Sequence, residues 1–276
     1  MPEDGGFSGA AQTRLQRATG RAAVGLELRG GVTRLAQLHQ SGSAKVFLPR
    51  VQGVVPEVVF LNTSGGLTGG DRIGFSLSLG DGARAVATTQ TAERAYASSG
   101  GRACMDVALT LGAGAALDWL PQETILFDRS TLARRTAVDL GAGARFVMAE
   151  TVVLGRAAMG ETVRALTFTD WREVRRGGVR VLVEPLRITD ATLRAGPATL
   201  NGARAIATVA LVAEGAEDAL DAVRACLPEG VETAASAWGG KLVVRVLGAD
   251  LLPVKQAVKR ILNVIRGVPL PRVWQL

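Results

Sequence analysis

Leu79-Gly80-Asp81-Gly82-Ala83-Arg84 is followed by Leu111-Gly112-Ala113-Gly114-Ala115-Ala116 and then by Leu140-Gly141-Ala142-Gly143-Ala144-Arg145. The first glycines of these phrases lie 32 and then 29 residues apart. A period of that size belongs to architectures that stack one supersecondary unit on the next. Around the first phrase, Ile73, Phe75, Leu77 and Leu79 alternate with polar or small residues, and Ala85 and Ala87 continue the alternation beyond it. Period-two alternation bounded by glycine is a strand–turn–strand pattern. The chain is therefore expected to be mainly β, with stacked, β-helix-like strands over residues 21–200. A plain β-sandwich whose hairpins share Gly-x-Gly turns is the alternative.

Outward from this region the pattern changes. Residues 1–20 are rich in Gly, Ala and Gln and lack an apolar run, which predicts a disordered lead-in to a single domain over 21–276. Residues 201–276 predict strand–helix–strand–helix. Ala205 to Ala213 forms the first strand, and Leu220, Val223, Cys226 and Leu227 share one helical face. Lys241 to Leu247 forms the second strand. Asp250 is placed to cap a helix with Leu251, Val254, Val258, Ile261, Leu262 and Ile265 on one stripe. The final Pro269-Leu270-Pro271-Arg272-Val273-Trp274 is expected to run extended.

The 276 residues are 47% hydrophobic, which is enough for a sizeable core. No apolar run approaches the ~20 residues of a membrane span. Cys104 and Cys226 are the two cysteines, expected to be reduced thiols in a cytoplasmic protein. The formal charge of +7 favours acidic partners. A basic β-rich nucleic-acid-binding module is one reading of that charge. The arginines are scattered, however, and there is one Tyr, so no nucleic-acid partner is expected.

Much chemistry is excluded. His39 is the only histidine, and no G-x-S-x-G elbow exists for a nucleophile. One His and two distant Cys do not make a zinc site. Ser64-Gly65-Gly66-Leu67-Thr68-Gly69-Gly70-Asp71 has P-loop-like glycine spacing, but Asp71-Arg72 stands where Lys and Ser/Thr are needed. This stretch is a glycine turn packed closely against other backbone. The acids Glu161 and Glu184 also raise a carboxylate-based hydrolase, although nothing fixes a pair and aromatics that could stack on a sugar are scarce.

What remains is polar. Thr88-Thr89-Gln90, Gln122-Glu123 and Glu150-Thr151 follow the three glycine phrases at nearly constant offsets. Stacked in register, these groups would line one path. Loose rows of oxygen ligands suit transient passage of a divalent cation better than tight binding. The competing reading is that they cap turns or face solvent.

Five ordered blocks resemble the UreD (UreH) family of urease accessory proteins. They are Leu61 through Asp71, Thr88 through Tyr96, Trp119 through Phe127, Glu150 through Glu161, and Leu270 through Trp274. Gly65, Gly66, Gly69, Gly70, Tyr96, Trp119, Arg156 and Trp274 carry much of the likeness. Ala97 stands where family members often have Arg, and Ser64 where many have Pro or Ala. The resemblance implies a non-enzymatic β-helical scaffold for nickel insertion, with no catalytic residue and no tightly bound cofactor. It implies apo-urease, UreF and UreG as partners. It also implies transient Ni2+ near Glu123, Glu150 and Glu161, along a path lined by Gln90, Asp71 and Thr88.

Overall fold

A computed structural model describes residues 16–50 and 55–275. Most of the expected lead-in, residues 1–15, lies outside the described residues. Strands β1 (Thr19–Arg29) and β2 (Val32–Gly42) form an antiparallel hairpin, followed by β3 (Ala44–Phe47) and β4 (Glu57–Asn62). The chain then winds through β5 (Arg72–Leu79), β6 (Arg84–Thr89), β7 (Glu93–Ala95), β8 (Ala103–Leu111), β9 (Ala116–Leu120) and β10 (Thr124–Leu126). It continues through β11 (Thr131–Leu140), β12 (Arg145–Leu154), β13 (Thr167–Arg176) and β14 (Val179–Thr189).

The strands flanking each glycine phrase do not pair with each other. Each pairs in parallel with its counterpart one phrase later. One face stacks β1, β5, β8, β11 and β13, and the second stacks β4, β6, β9 and β12. A narrow third face stacks β7, β10 and the end of β12. The result is a β-solenoid of about four turns, which decides for coils over hairpins.

The glycine phrases recur because stacked turns make recurring demands. Gly82, Gly114 and Gly143 adopt φ of 66°, 63° and 63°, open to glycine at little cost. The turns also lie directly on one another: Gly82 N–H donates to Ala113 O and Gly114 N–H to Ala142 O, both at 2.8 Å. A Cβ on Gly141 would come within 2.7 Å of the Ala113 nitrogen beneath it.

The inward rows show what fills the coil. Leu79, Leu111 and Leu140 stand in register, as do Leu77, Leu109 and Val138, and all are buried. The next two rows begin apolar and turn polar. Phe75 and Val107 lead to Thr136, Arg172 and Glu184, while Ile73 and Met105 lead to Arg134 and Asp170.

Beyond the coil, five-residue α1 (Asp190–Arg194) precedes β15 (Ala205–Val212), α2 (Leu220–Cys226), β16 (Glu232–Trp238), β17 (Lys241–Gly248) and α3 (Leu251–Arg266). β15 pairs antiparallel with β12, and β17 and then β16 extend the second face, each antiparallel to its neighbour. Helix α3 buries Val254, Ala257, Val258, Ile261, Leu262 and Ile265 against the outside of that sheet. Asp250 stands at the N-cap position without a side-chain cap hydrogen bond.

Two local expectations fail. Strand β16 was not anticipated: Glu-Thr-Ala-Ala-Ser-Ala-Trp buries only Ala235 and carries little β propensity. It forms because Gly239 and Gly240, both left-handed, fold it back onto β17. The C-terminus also does not stay extended. Arg272–Trp274 makes a 3-10 turn, with Trp274 N–H donating to Pro271 O at 2.9 Å. The buried Trp274 indole fixes it by donating to Leu120 O at 2.8 Å. No helix among the described residues is long and apolar enough to cross a membrane.

Candidate functional site

Where the inward rows turn polar, charge accumulates inside the coil. Arg134 on β11 reaches Asp170 on β13 through two hydrogen bonds, Nε to Oδ1 at 3.0 Å and Nη2 to Oδ2 at 2.6 Å. Its Nη1 donates to Thr124 Oγ1 at 3.1 Å. From the facing sheet, Glu150 on β12 places Oε2 2.9 Å from Arg134 Nη2. Glu150 Oε1 accepts from Trp119 Nε1 at 3.1 Å and Thr136 Oγ1 at 3.3 Å. Arg172 places Nε 3.2 Å from Asp170 Oδ2. All four ionised side chains are buried, and two positive charges balance two negative ones.

Burial at this density requires pairing. For Arg134, burial alone would lower the pKa, but Asp170 and Glu150 outweigh it and raise the value. The pairing is nonetheless incomplete. Glu150 Oε2 and Arg172 Nε have opposite charge nearby, yet neither makes a well-oriented hydrogen bond among the described residues.

Glu150 and Arg134 border a cavity of about 50 Å³, also lined by Thr89, Gln122, Thr124, Trp119 and Glu93. That is room for a few water molecules. Glu93 is partly buried, and burial pushes its pKa up to about 7, against the opposing hydrogen bonds of Asn62 Nδ2 (3.3 Å) and its neighbour's amide. From Glu150 the polar row crosses the second face to Thr208 and Arg245. Arg245 Nη2 lies 2.5 Å from Glu184 Oε1 on the opposite sheet, with the arginine side chain 58% exposed. A charged band thus runs from the cavity to the surface.

The three polar clusters contribute unequally. Thr89, Gln122 and Glu150 line the cavity, one residue from each cluster. Thr88 is buried beside it and donates to Leu120 O at 2.6 Å. Gln90 is exposed. Glu123 pairs with Lys255 at 3.2 Å, on the side facing α3. Glu161 lies outside the cavity, bonded to Arg156 Nε at 2.8 Å. Asp71 is buried and clamps a turn, accepting from Ala18 and Thr68 amides, both at 2.8 Å. Gly65 lines the cavity, and Gly66, Gly69 and Gly70 complete its turn. Tyr96 Oη donates to Gly65 O at 3.0 Å. His39 is exposed on β2, and Cys104 and Cys226 are free thiols.

The sequence reading did not single out Glu93, Arg134 or Asp170. Their signal was present: Arg134 and Asp170 occupy the apolar phase of alternating strands, between Leu132 and Val138 and between Phe168 and Val174. No group of three or more His, Cys, Asp or Glu side chains among the described residues could hold a metal ion. Apart from the Met105 thioether, the cavity offers oxygen ligands, few of them anionic and two arginines beside them, which suits weak and exchangeable contact with a cation.

A sequence profile for the UreD urease accessory protein family matches residues 18–275. A urease accessory protein UreD from Cereibacter sphaeroides is 60% identical over 264 residues, covering 95% of this chain and 96% of that protein. The UreD of Dinoroseobacter shibae is 56% identical over 265 residues, 95% of this chain and 94% of its own. That of Paracoccus denitrificans is 48% identical over 273 residues, 98% and 96% respectively.

Proposed function

This chain belongs to the UreD urease accessory protein family, a family of non-catalytic urease maturation factors, and we propose that it serves maturation by conducting Ni2+ through its charged interior while bridging apo-urease to UreF and UreG. Association with the urease maturation machinery follows from the family. The carrying observation for the path is the Glu150 Oε2 atom, buried beside a cavity without a well-oriented hydrogen bond.

A cargo ion must shed water on entry and be released at the far end. The carboxylates of Glu150 and of ionised Glu93 offset the desolvation of a dication, and Thr89 and Thr124 offer neutral oxygens. The paired arginines keep the site from holding the ion tightly. Glu184 and Arg245 mark one mouth of the path. The nickel is cargo here, with no resident cofactor, and the free thiols accord with a cytoplasmic setting.

Deleting the gene for this chain is expected to leave urease assembled and nickel-poor at ordinary nickel supply. Affinity capture of this chain is expected to recover UreF, UreG and urease. Full activation of urease in the deletion strain at ordinary nickel would overturn the reading.

A further inference from the structure

The corner that follows the third face holds a second feature, outside the charged band. Tyr96 follows β7, Phe127 follows β10, and Arg156 and Glu161 follow β12, so three successive coils build one open groove of about 680 Å³. Its wall is rigid. The Tyr96 ring meets Phe127 edge to face with centroids 4.9 Å apart, and the Arg156 guanidinium lies 4.4 Å from the Phe127 centroid.

The two acids of the groove are already engaged. Asp128 Oδ1 accepts from the Arg164 and Ala165 amides at 2.7 and 3.0 Å. Glu161 accepts from Arg156 Nε and from the Asp128 amide at 3.1 Å. Arg129 and Arg164 therefore have no hydrogen-bonded carboxylate among the described residues, and the nearest to Arg129 is Asp128 Oδ2 at 3.8 Å.

Arg129 is also strained. Its φ is 61°, a region this chain otherwise fills almost entirely with glycine. Its amide and carbonyl are fixed by Ala165 O at 2.6 Å and Ser98 N at 2.9 Å, so the backbone cannot relax. The side chain is 75% exposed and makes no hydrogen bond among the described residues. Those two backbone hydrogen bonds hold the left-handed conformation, but among the described residues the side chain itself contributes no hydrogen bond to it. An arginine held this way at a groove rim is a recognition feature.

We propose that this groove docks an acidic segment of a protein partner, with Arg129 and Arg164 each taking a carboxylate and Tyr96 covering the segment's apolar part. Arginine and tyrosine on a preorganised wall are the residue types that anchor protein interfaces. The proposal rests on the maturation reading only for where the partner is sought, and assembly is read without nickel.

The test is affinity capture of the full chain from cells that also make urease and the other maturation proteins, with each recovered protein quantified. Arg129→Gly relieves the strain, so the melting temperature is expected to rise by about 2–4 °C. Recovery of one maturation partner is expected to fall roughly tenfold. Loss of binding in a stabilised variant cannot be misfolding. Arg129→Glu with Arg164→Glu should abolish that recovery, while Arg187→Ala, removing an exposed charge elsewhere, should leave it unchanged. Hydrogen exchange on the captured complex should protect a partner segment bearing at least two Asp or Glu. Undiminished recovery in both groove variants, equal loss with Arg187→Ala, or protection of an acid-free segment would each overturn the proposal.

Discussion

Replacing Arg134 by Met removes one of two cations from the buried network while keeping an unbranched side chain of similar reach. Asp170 loses both hydrogen bonds from Nε and Nη2, and Glu150 loses its 2.9 Å contact. What remains is one cation, Arg172, facing two carboxylates. Breaking a buried pair by removing one partner costs about 3–5 kcal/mol, because an uncompensated charge stays inside. For a domain held by about 5–15 kcal/mol, that is a large share of total stability. Adding Asp170→Asn to Arg134→Met returns the network to one positive and one negative group, Arg172 and Glu150. The double variant is therefore expected to recover about 2 kcal/mol or more relative to Arg134→Met alone. Urea unfolding followed by circular dichroism measures Arg134→Met, Asp170→Asn and the double variant at pH 7. Additive costs, or an Arg134→Met cost below about 1 kcal/mol, would show that the four side chains do not act as one buried unit and would refute the reasoning.

The other expectations follow from single residues. A methyl group on Gly66 would run into the Tyr96 ring and sit 2.7 Å from Arg94 O, and one on Gly69 would collide with Ser98 Oγ and Gly100 O. Gly66→Ala and Gly69→Ala should each cost about 2–4 kcal/mol, whereas Gly65→Ala, left-handed at φ 80° but facing open space, should cost about 1 kcal/mol. Equal costs at Gly65 and Gly66 in denaturant melts would contradict the contacts. Glu93 has its folded pKa raised to about 7 from an ordinary 4.5. Its protonated form therefore adds stability fully present below pH 4.5 and lost as pH rises to 7, by at most about 3 kcal/mol. Glu93→Gln should flatten that decline, and an unchanged pH profile would count against a buried Glu93.

Local chemistry made the coil legible. Each Gly-x-Gly phrase needs one left-handed glycine, and where a turn lies on the one before it, at Gly112 and Gly141, it also needs a close backbone approach, so the demand repeats wherever the turns stack. What escaped was set by edges. Strand β16 forms on an open side of β17, and the C-terminal turn forms because the Trp274 indole finds Leu120 O far along the chain. Neither partner is visible in the neighbouring residues. The polar clusters were half legible for a reason of strand geometry: successive side chains point to opposite faces. A run of two or three polar residues sends only some of them inward, so Thr89 and Glu150 reach the cavity while Gln90 is exposed and the side chains of Gln122 and Glu123 both turn to Lys255. Arg134 and Asp170 could have been found by asking which charges stand in the apolar phase of a strand. Glu93, beside exposed Arg94, has no such mark; Asn62 and the third face bury it.

Nickel per urease active site, measured by plasma mass spectrometry on urease matured with this chain or its variants, addresses the central claim most directly. Glu93→Gln removes the charge that Glu93 carries when ionised while keeping its size, and Glu150→Gln retains the shape of the buried acceptor. Normalised to the amount captured with the maturation partners, both are expected to deliver several-fold less nickel. Wild-type nickel content with both variants, at equal capture, would contradict a path through the charged interior.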